Sequence, residues 1–369
     1  MRVLVAMSGG VDSSVVAGLL REAGHEVIGA TLQLYDHGAA MSRKGACCAG
    51  QDIHDARRVA DHLGIAHYVL DREARFRQAV IQDFADSYAR GETPIPCIRC
   101  NQTVKFQDLL ELAEDLACEA LATGHYARRL DGPAGPELHR AADPARDQSY
   151  FLAHTTRAQL ARLLFPLGEM PDKATVRRHA ARLGLPVADK PDSQDICFVP
   201  QGSYADLVGR LRPEALEEGE ILDESGRVLG RHRGIARYTV GQSRGLGLGG
   251  GQRLFVTAID AQHRRILVGP DPARRHGPIL AEEVNWLIDP PSRLRAQVKL
   301  RARQEPQAAD IAWDGARLAI LPDQPSVAAP GQSAVLYDGS RILGAGIIRP
   351  SPKLTARAEL PTSAAAGVV

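Results

Sequence analysis

In the first third of the chain, short uninterrupted apolar runs alternate with longer segments whose apolar residues recur three and four positions apart. The runs are typical of strands buried on both faces, and the spacing is typical of helices. Strands are predicted over residues 3–7, 27–34, 67–70 and 120–124, and helices after residue 13 and over 53–63, 75–90 and 106–116. Strands that alternate with helices predict a parallel sheet covered on both faces.

Two loops and one long helix complete the prediction for this part of the chain. The loops cover residues 36–50 and 91–101, and the helix covers 157–184. Ligands of parallel sheets bind beyond the carboxyl ends of the strands. The turn after residue 7, Leu32, the loop before Asn101 and Gly124 all lie at such ends, so a binding site is predicted there.

The pattern changes between residues 205 and 220. From Ile221 onward, short strands are separated by turns rich in Gly, Pro and Asp, which predicts all-β structure. The predicted domains are an α/β domain (1–205), a small central β-rich domain (206–278) and a barrel-like C-terminal domain (279–350). The tail over 351–369 is expected to be disordered.

Composition is typical of a soluble globular protein. The 369 residues are 44% hydrophobic and 24% charged, which suits two or three domains. We find no signal peptide and no apolar run of membrane-spanning length, so we expect a cytoplasmic protein without membrane contact. Because the net charge is only +1, any site for a polyanion must be a local concentration of cations.

A glycine turn, Ser8-Gly9-Gly10-Val11-Asp12-Ser13, joins the first strand to the first helix. Backbone N–H groups and the positive end of the helix favour an anion there, and glycines let a phosphate approach the backbone. The alternative is an ordinary turn in which a serine caps the helix. The six residues resemble the PP-loop of ATP pyrophosphatases, which split ATP between its α and β phosphates. Asp12, beside this turn, is predicted to hold Mg²⁺ with ATP.

Six cysteines in a reducing compartment point to metal, redox or sulfur chemistry rather than structural disulfides. Cys97 and Cys100 form a Cys-x-x-Cys at a turn into a helix, where N–H dipoles and Arg99 favour thiolate. Alternatively, Cys97, Cys100 and Cys197 are predicted to hold an iron–sulfur cluster with one iron left open. Zinc fits less well because the spacing offers no fourth ligand. Cys118 is interpreted as a buried filler.

A basic segment lies near the C-terminal end of the chain. Cations alternate with apolar residues at Arg293, Arg295, Lys299, Arg301 and Arg303, and no acid interrupts them. On a strand, this alternation places the cations on one face, which suits a phosphate backbone. The alternative is a solvated strand face.

Several motifs, in this order, resemble the bacterial tRNA-specific 2-thiouridylases from residue 1 to about 350. They are Ala6-Met-Ser-Gly-Gly-Val-Asp-Ser13, Cys100-Asn-Gln-Thr-Val-Lys-Phe106, Ala122-Thr-Gly-His-Tyr126, Asp147-Gln-Ser-Tyr-Phe-Leu152, Asp192-Ser-Gln-Asp-Ile-Cys197, Tyr238-Thr-Val-Gly-Gln242 and Gly331-Gln-Ser-Ala-Val335. Many enzymes share the PP-loop alone, whereas the ordered set is specific to this family. The resemblance implies an α/β PP-loop domain of the adenine nucleotide alpha hydrolase-like type, followed by two small β-rich domains, the last barrel-like.

The resemblance also implies the activity, that of a tRNA-uridine 2-sulfurtransferase. ATP adenylates the carbonyl oxygen at carbon 2 of the wobble uridine in the lysine, glutamate and glutamine tRNAs, which releases pyrophosphate. Sulfur then arrives as a cysteine persulfide and AMP leaves. The implied partners are tRNA and a sulfur-relay donor protein fed by a cysteine desulfurase.

Site residues follow from the same resemblance. Cys197 matches the persulfide carrier, and Cys100 the nucleophile that later forms a disulfide with it. The ATP-binding positions are Ala6, Met7, Ser8, Gly9, Gly10, Val11, Asp12, Ser13, Leu32 and Gly124. The tRNA-contacting positions are Ile95, Pro96 and Cys97, which face the target base, and His125, Arg146, Asp147, Gln148, Arg301, Ala302 and Gln332.

Cys97 departs from the family pattern, because many members carry Asp three residues before the nucleophile. Persulfide transfer and a 4Fe-4S cluster held by Cys97, Cys100 and Cys197 therefore both stay open. Two further alternatives are another PP-loop ATP-dependent ligase, such as an amide-forming or argininosuccinate-type synthetase, and a nucleotide-binding regulatory module. The ligases require neither the paired thiols nor the basic segment, and the regulatory module would lack catalysis.

Overall fold

The computed structural model describes residues 1–35, 48–192, 196–199, 203–249, 253–271 and 277–350. The predicted tail and most of the predicted loop over 36–50 lie outside these residues. The α/β part begins the chain, and two β-rich parts follow it. This confirms the predicted fold class.

A parallel sheet forms the centre of the α/β part. The strands of the α/β part are β1 (Arg2–Ala6), β2 (Glu26–Gln33), β3 (Ala66–Asp71), β4 (Ala120–Ala122), the hairpin β5 (Ala127–Gly132) and β6 (Gly135–Arg140), and β7 (Leu163–Leu164). The hairpin does not belong to the parallel sheet. The sheet order is β3-β2-β1-β4-β7, and each of these pairings is parallel. Leu4 belongs to one hydrophobic core, whereas Val3 and Val5 belong to another. The sheet is therefore buried on both faces, as its apolar runs predict.

Helices cover both faces of this sheet. In chain order, the helices of the described residues are α1 (Val11–Glu22), α2 (Cys48–Leu63), α3 (Glu73–Phe76), α4 (Asp83–Ala89), α5 (Pro96–Cys100), α6 (Phe106–Asp115), α7 (Ser149–Leu152), α8 (Arg157–Ala161), α9 (Lys173–Arg182) and α10 (Tyr204–Leu211). Of these, α4 and α10 pack on the central part of the chain. π-helical turns join α3 to α4 (Arg77–Gln82) and α5 to α6 (Asn101–Lys105). Within the described residues, we find no helix with the length and apolar character needed to cross a membrane.

The predicted loop over 91–101 is wrong in its second half, where α5 forms. Pro96 occupies the start of this helix after Ile95, whose backbone is extended. Proline suits the first helical position because its φ is preset and its missing N–H has no partner there anyway. The π turn then continues the helical path into α6, so the Cys-x-x-Cys lies on helical backbone.

The predicted continuous helix over 157–184 is also wrong. Thr156 caps α8 by accepting a hydrogen bond from the backbone N–H of Gln159. Leu163 and Leu164 then join the edge of the sheet as β7. Because Pro166 and Pro171 cannot continue a helix, α9 starts only at Lys173, after the cap residue Asp172.

A four-stranded sheet forms the central part of the chain. Its strands are β8 (Glu218–Leu222), β9 (Val228–Arg233), β10 (Phe255–Asp260) and β11 (Arg265–Gly269), in the order β10-β11-β8-β9. Short 3₁₀ turns cover Pro213–Leu216 and Ile235–Arg237. Its core also includes Phe84 and Tyr88 of α4, so this part packs directly on the α/β part.

A closed barrel forms the last described part. Its strands are β12 (Ile279–Trp286), β13 (Arg293–Lys299), β14 (Gln307–Trp313), β15 (Leu318–Pro322), β16 (Ser333–Asp338) and β17 (Arg341–Ile348). They follow the order β12-β15-β14-β13-β16-β17, and pairing of β12 with β17 closes the barrel. The hairpin β5–β6 also pairs with β17, at His139 and Arg341. The α/β part and the barrel are thus joined by strand pairing.

Gly9 allows a close backbone approach at the turn after β1. Its φ is +71°, and a Cβ at this position would lie 2.1 Å from the carbonyl oxygen of Asp52 in α2. Gly24 has a similar φ of +81°, but a Cβ there would meet nothing within 4 Å. Comparing an alanine substitution at Gly9 with one at Gly24 therefore separates the cost of the backbone conformation from the cost of the steric clash.

We expect Gly9→Ala to lower the free energy of unfolding by about 3 kcal/mol, from roughly 1–2 kcal/mol of left-handed strain and about 1–3 kcal/mol of overpacking. Gly24→Ala, the matched control, should cost only the first of these, roughly 1–2 kcal/mol. Urea unfolding followed by circular dichroism measures both. Equal losses in the two variants would show that the Asp52 contact relaxes without cost.

Candidate nucleotide and thiol site

The predicted phosphate turn lies between β1 and α1. Gly10 is the N-cap residue of α1, and no side chain caps this end of the helix. The hydroxyl oxygen of Ser13 instead accepts a hydrogen bond from the backbone N–H of Ser8 at 3.1 Å. The first-turn N–H groups of α1 are therefore not engaged by a capping side chain, which fits an anionic ligand and excludes the alternative of a serine-capped turn.

The other predicted ATP-binding residues lie around this turn. Gly124 follows β4, and a Cβ there would lie 2.9 Å from the backbone nitrogen of Ser13. Ala6 is the last residue of β1, and half-buried Leu32 is the second-to-last residue of β2. The carboxyl ends of three neighbouring strands thus meet at one edge of the sheet, where open parallel sheets bind nucleotides.

Asp12 lies in a network of charged and polar groups. Lys173 Nζ lies 2.8 Å from both carboxylate oxygens of Asp12, and the hydroxyl of Tyr126 donates to the same carboxylate at 2.7 Å. Lys173 also reaches Asp192 at 2.9 Å, and so does Arg146. Burial alone would raise the pKa of Asp192, but Lys173 and Arg146 hold it below its ordinary value. Two carboxylates joined through one ammonium are an oxygen donor set that suits Mg²⁺.

Lys190 holds the phosphate turn against α2. Its ammonium donates to the carbonyl oxygen of Gly9 at 3.0 Å and to the carboxylates of Asp52 and Asp55 at 2.7 Å. The segment that contains Lys190 leads directly to Asp192 and Cys197. Sequence reasoning gave no role to Lys173 or Lys190. Tyr126 and Asp192 lie inside recognised motifs, and this was the only signal for them.

One small apolar cluster joins the thiol of Cys100 to the nucleotide end of the sheet. Buried Cys100 packs there with Phe76, Val80 and Val104. Leu32, Tyr35 and Phe198 pack against the same cluster, and the rings of Phe76 and Phe198 lie 5.8 Å apart, edge to face. Cys97 and Cys197 are exposed. This cluster therefore joins the Cys100 helix, the Cys197 segment and Leu32, a predicted ATP-binding residue.

Lys105, and not Arg99, is the cation that acts on the thiols. Burial raises the pKa of Cys100 to about 11, and the positive charge of Lys105 opposes this rise. Burial disfavours the charge of Lys105, but interaction with the three thiols raises its pKa overall. Arg99 is bound instead by Glu283 at 2.7 Å and Asp83 at 3.4 Å. The expectation that Arg99 favours a thiolate is thus wrong, because two carboxylates neutralise it.

His125 lies between two aromatic rings near these thiols. Phe106 and Phe165 face its ring edge to face at 6.1 and 6.4 Å, and its Nδ1 lies 2.8 Å from the hydroxyl oxygen of Thr123. Burial and the charge of Lys105 lower the pKa of His125 to about 3. The ring is therefore neutral near pH 7 and offers stacking and hydrogen bonding rather than charge.

The three thiols do not form a metal site in this structure. Among the described residues, no three His, Cys, Asp or Glu side chains come together as possible ligands of a metal ion. Cys97 and Cys197 are exposed, whereas Cys100 is buried. The arrangement of the sulfur donors therefore does not fit the predicted iron–sulfur cluster.

The remaining positions that are predicted to contact tRNA fall into separate groups. Ile95 and Pro96 lead into α5 beside the thiols, whereas exposed Arg146 lies with Asp192 at the phosphate turn. Asp147 and Gln148, which follow Arg146, form hydrogen bonds within the α/β part instead. Asp147 accepts hydrogen bonds from the backbone N–H groups of Ala141 and Ser149, and Gln148 accepts one from that of Tyr126.

The basic segment differs from its prediction as a single cationic strand face. Strand β13 ends at Lys299, which is buried, and its ammonium lies 6.0 Å from the ring of Tyr150. Arg295 is neutralised by Asp310 in the neighbouring strand β14 and by Asp323, which directly follows β15. Arg301 and Arg303 are exposed and lie in the turn after β13, with half-buried Ala302 between them. Sequence alternation could not reveal the acids because they lie elsewhere in the chain.

Fold and site together define a PP-loop α/β protein that brings thiols to its nucleotide end and carries two β-rich parts behind it. Three family models match in order: a tRNA methyl transferase HUP domain over residues 1–201, a tRNA methyl transferase PRC-barrel domain over 206–270 and an aminomethyltransferase beta-barrel domain over 276–348. Full-length relatives identify the family. The chain belongs to the tRNA-specific 2-thiouridylases, as the motifs indicate.

These relatives cover nearly the whole chain. The tRNA-specific 2-thiouridylase MnmA of Acidiphilium cryptum is 66% identical and covers 94% of this chain and 100% of the relative. That of Gluconobacter oxydans is 60% identical, with 94% and 99% covered. That of Rhodospirillum centenum is 57% identical, with 99% and 96% covered. Among solved structures, a 4-thiouridine synthetase–RNA complex with bound ATP is similar to part of the chain at 16% identity and a TM-score of 0.34, with 58% and 50% covered.

Replacing Lys105 by Met should slow the alkylation of Cys100. Losing a neighbouring cation raises a thiol pKa by about one unit or more, so the thiolate fraction at a fixed mildly alkaline pH falls about tenfold. Iodoacetamide labelling followed by mass spectrometry measures the rate at each cysteine. Cys118 serves as an internal reference because Lys105 does not contribute to its pKa.

Lys105→Arg is the matched control, since it keeps the positive charge and should alkylate near the wild-type rate. If the Met and Arg variants slow equally, the effect comes from packing around the thiol and not from charge.

Proposed function

We propose that this protein catalyses the ATP-dependent 2-thiolation of the wobble uridine in the lysine, glutamate and glutamine tRNAs. The observation that supports this most strongly is the shared apolar cluster of Cys100, Phe198 and Leu32, because it unites two sulfur-bearing segments with the nucleotide end of the sheet. A ligase of the same superfamily has no use for such an arrangement. The family membership reported above supports the same activity.

The first half-reaction in this proposal activates the base. The carbonyl oxygen at carbon 2 of uridine attacks the α phosphate of ATP, and pyrophosphate leaves. First-turn N–H groups of α1 and the ammonium group of Lys173 favour the phosphates. Asp12 and Asp192 would hold Mg²⁺, which offsets phosphate charge. Binding of the nucleotide then requires Lys173 to release at least part of its contact with Asp12.

The second half-reaction transfers sulfur. The terminal sulfur of a persulfide on Cys197 attacks carbon 2, and AMP leaves with the former carbonyl oxygen. The Cys100 thiolate then attacks Sγ of Cys197 and breaks the sulfur–sulfur bond, which leaves 2-thiouridine and a Cys100–Cys197 disulfide. A dithiol reductant restores both thiols. Lys105 favours the thiolate of Cys100 that this step needs.

The tRNA would engage several parts of the chain in this proposal. Uracil is inaccessible while stacked, so the base must turn out towards Ile95, Pro96 and Cys97. His125 is suited to stack or hydrogen-bond as a neutral ring. Arg146, Arg301, Ala302 and Gln332 complete the contacts, with residues 279–350 as the tRNA-contacting domain and 206–278 as the central one. The protein would act in the cytoplasm and receive sulfur from a relay protein fed by a cysteine desulfurase.

The proposal predicts pyrophosphate release that depends on tRNA, and 2-thiouridine that depends also on a persulfide donor. Cys197→Ser should abolish thiolation while tRNA-dependent pyrophosphate release continues, because the two half-reactions use different groups. Pyrophosphate release is followed by a coupled assay and thiolation by nucleoside mass spectrometry. Pyrophosphate release driven by an amine or amino acid, with no need for tRNA, would identify a PP-loop ligase instead.

Iron content separates the persulfide route from the cluster route. After anaerobic reconstitution with iron and sulfide, we expect wild-type thiolation to be independent of bound iron and Cys97→Ala to retain partial activity. Iron-dependent thiolation that disappears in Cys97→Ala would overturn the persulfide route. Cys97→Asp, which carries the residue common in the family, should keep substantial activity.

Replacing both Arg301 and Arg303 by Ala should weaken tRNA binding and leave ATP affinity unchanged. Each lost phosphate contact lowers the slope of log affinity against log salt by about 0.7–0.9, so the slope should fall by about 1.5. Fluorescence anisotropy at several salt concentrations measures it.

The matched control removes two arginines of the same barrel that are paired with aspartates, Arg295 and Arg317. Its change in net charge is identical, yet its slope should change little because these side chains are already neutralised. Equal slopes in both double variants would mean that net charge alone, and not direct contact, is responsible.

A further inference from the structure

The segment that leads into the Cys97–Cys100 helix is held by the C-terminal barrel. The backbone N–H of Thr93 donates to the carbonyl oxygen of Pro330 at 2.7 Å, and Gln332 Nε2 donates to the carbonyl oxygen of Thr93 at 2.7 Å. A Cβ on Gly331 would lie 2.9 Å from the nitrogen of Thr93. The barrel therefore packs backbone against backbone on the residues just before α5.

A second contact reaches inside α5 itself. Arg99 lies between the two cysteines, and its guanidinium donates to Oε2 of Glu283 in β12 at 2.7 Å. The other carboxylate oxygen of Glu283 binds Arg349 at 2.5 Å, and Arg349 also reaches buried Glu92 at 3.2 Å. One carboxylate of the barrel thus joins the cysteine helix to an arginine that also holds the segment before it.

The backbone at Glu283 is unusual. Its φ is +50°, in the left-handed region that residues with a side chain seldom occupy. The register of β12 against β17 shifts between Glu282 and Asn285, which marks a bulge. Bulges redirect a side chain that a regular strand would point elsewhere. Here the redirected carboxylate faces Arg99.

We propose that Glu283 is a positioning residue of the thiolation site, which fixes through Arg99 the helix that carries Cys97 and Cys100. The inference rests on the proposed function, since it assigns the thiol of Cys100 to sulfur transfer. The barrel then influences sulfur transfer without contacting the reacting atoms, because reacting groups must be held close to their productive geometry. Adenylation should depend on this contact far less, since Asp12 and Lys173 do not touch it.

Glu283→Gln keeps the shape of the side chain and removes its charge. We expect single-turnover thiolation by enzyme persulfidated at Cys197 to slow by about 10-fold or more, as misplacement of a reacting group would cause. KM for tRNA and tRNA-dependent pyrophosphate release should stay within about twofold. Iodoacetamide should alkylate Cys100 faster, because a released helix exposes its buried thiol. Arg99→Gln removes the same contact from the other side, and the double variant should be no slower than the slower single variant.

Asp289→Asn is the matched control. It breaks another ion pair between the α/β part and the barrel, with Arg157 at 2.8 Å, which does not involve the cysteine helix. Its thiolation and Cys100 alkylation rates should equal those of wild type. The positioning role is overturned if Glu283→Gln thiolates at the wild-type rate, if it changes only tRNA affinity, or if Asp289→Asn slows thiolation as much.

The two proposals fail differently. Wild-type protein that forms no 2-thiouridine would overturn the proposed function, whereas the alkylation rate of Cys100 needs no substrate and still reports whether Glu283 holds the helix. A wild-type alkylation rate in both Glu283→Gln and Arg99→Gln would overturn the positioning role by itself.

Discussion

The contact between Gly9 and Asp52 fixes the geometry of the nucleotide end. Here the turn after β1 lies directly against the backbone of α2, and Lys190 binds both sides of the contact. Because Lys190 begins the segment that continues to Asp192 and Cys197, the same contact sets where the second cysteine segment starts. One point of close backbone packing thus holds together the phosphate turn, α2 and the start of the segment that carries Asp192.

Two opposite electrostatic environments lie side by side in this site. Around Asp12, each carboxylate has an ammonium or guanidinium partner, so the charges balance and the turn is polar. Around Cys100, the walls are apolar, and the described part of the chain gives Lys105 no carboxylate partner. Burial keeps the Cys100 thiol protonated near pH 7, since its pKa lies near 11. The free protein therefore holds this sulfur in its less reactive form while a single cation lowers the cost of ionising it.

The sequence predicts what depends on local pattern and misses what depends on distant contacts. Apolar periodicity locates the strands of the parallel sheet, and the glycine turn marks the junction between β1 and α1, because both signals lie within a few residues. Lys173 is 161 residues from Asp12, and Asp323 is 28 residues from Arg295, so no local pattern links either pair. Arg99 illustrates the same limit. Its position between two cysteines suggests an effect on thiols, yet Glu283, 184 residues away, neutralises it. The π turn after α5 has no sequence signature of its own.

The pairing of β17 with the hairpin β5–β6 also has a consequence for how the chain is made. A ribosome releases the α/β part first, but the partner strand of β6 and the residue Arg349 that binds Glu92 are among the last described residues to emerge. Until then the edge of β6 is unpaired, and unpaired strand edges promote wrong association. The segment before α5 also lacks its contacts with Pro330 and Gln332. During translation the barrel's contacts with the cysteine helix and the segment before it therefore form last, after the phosphate turn and the core around Cys100 have been synthesised.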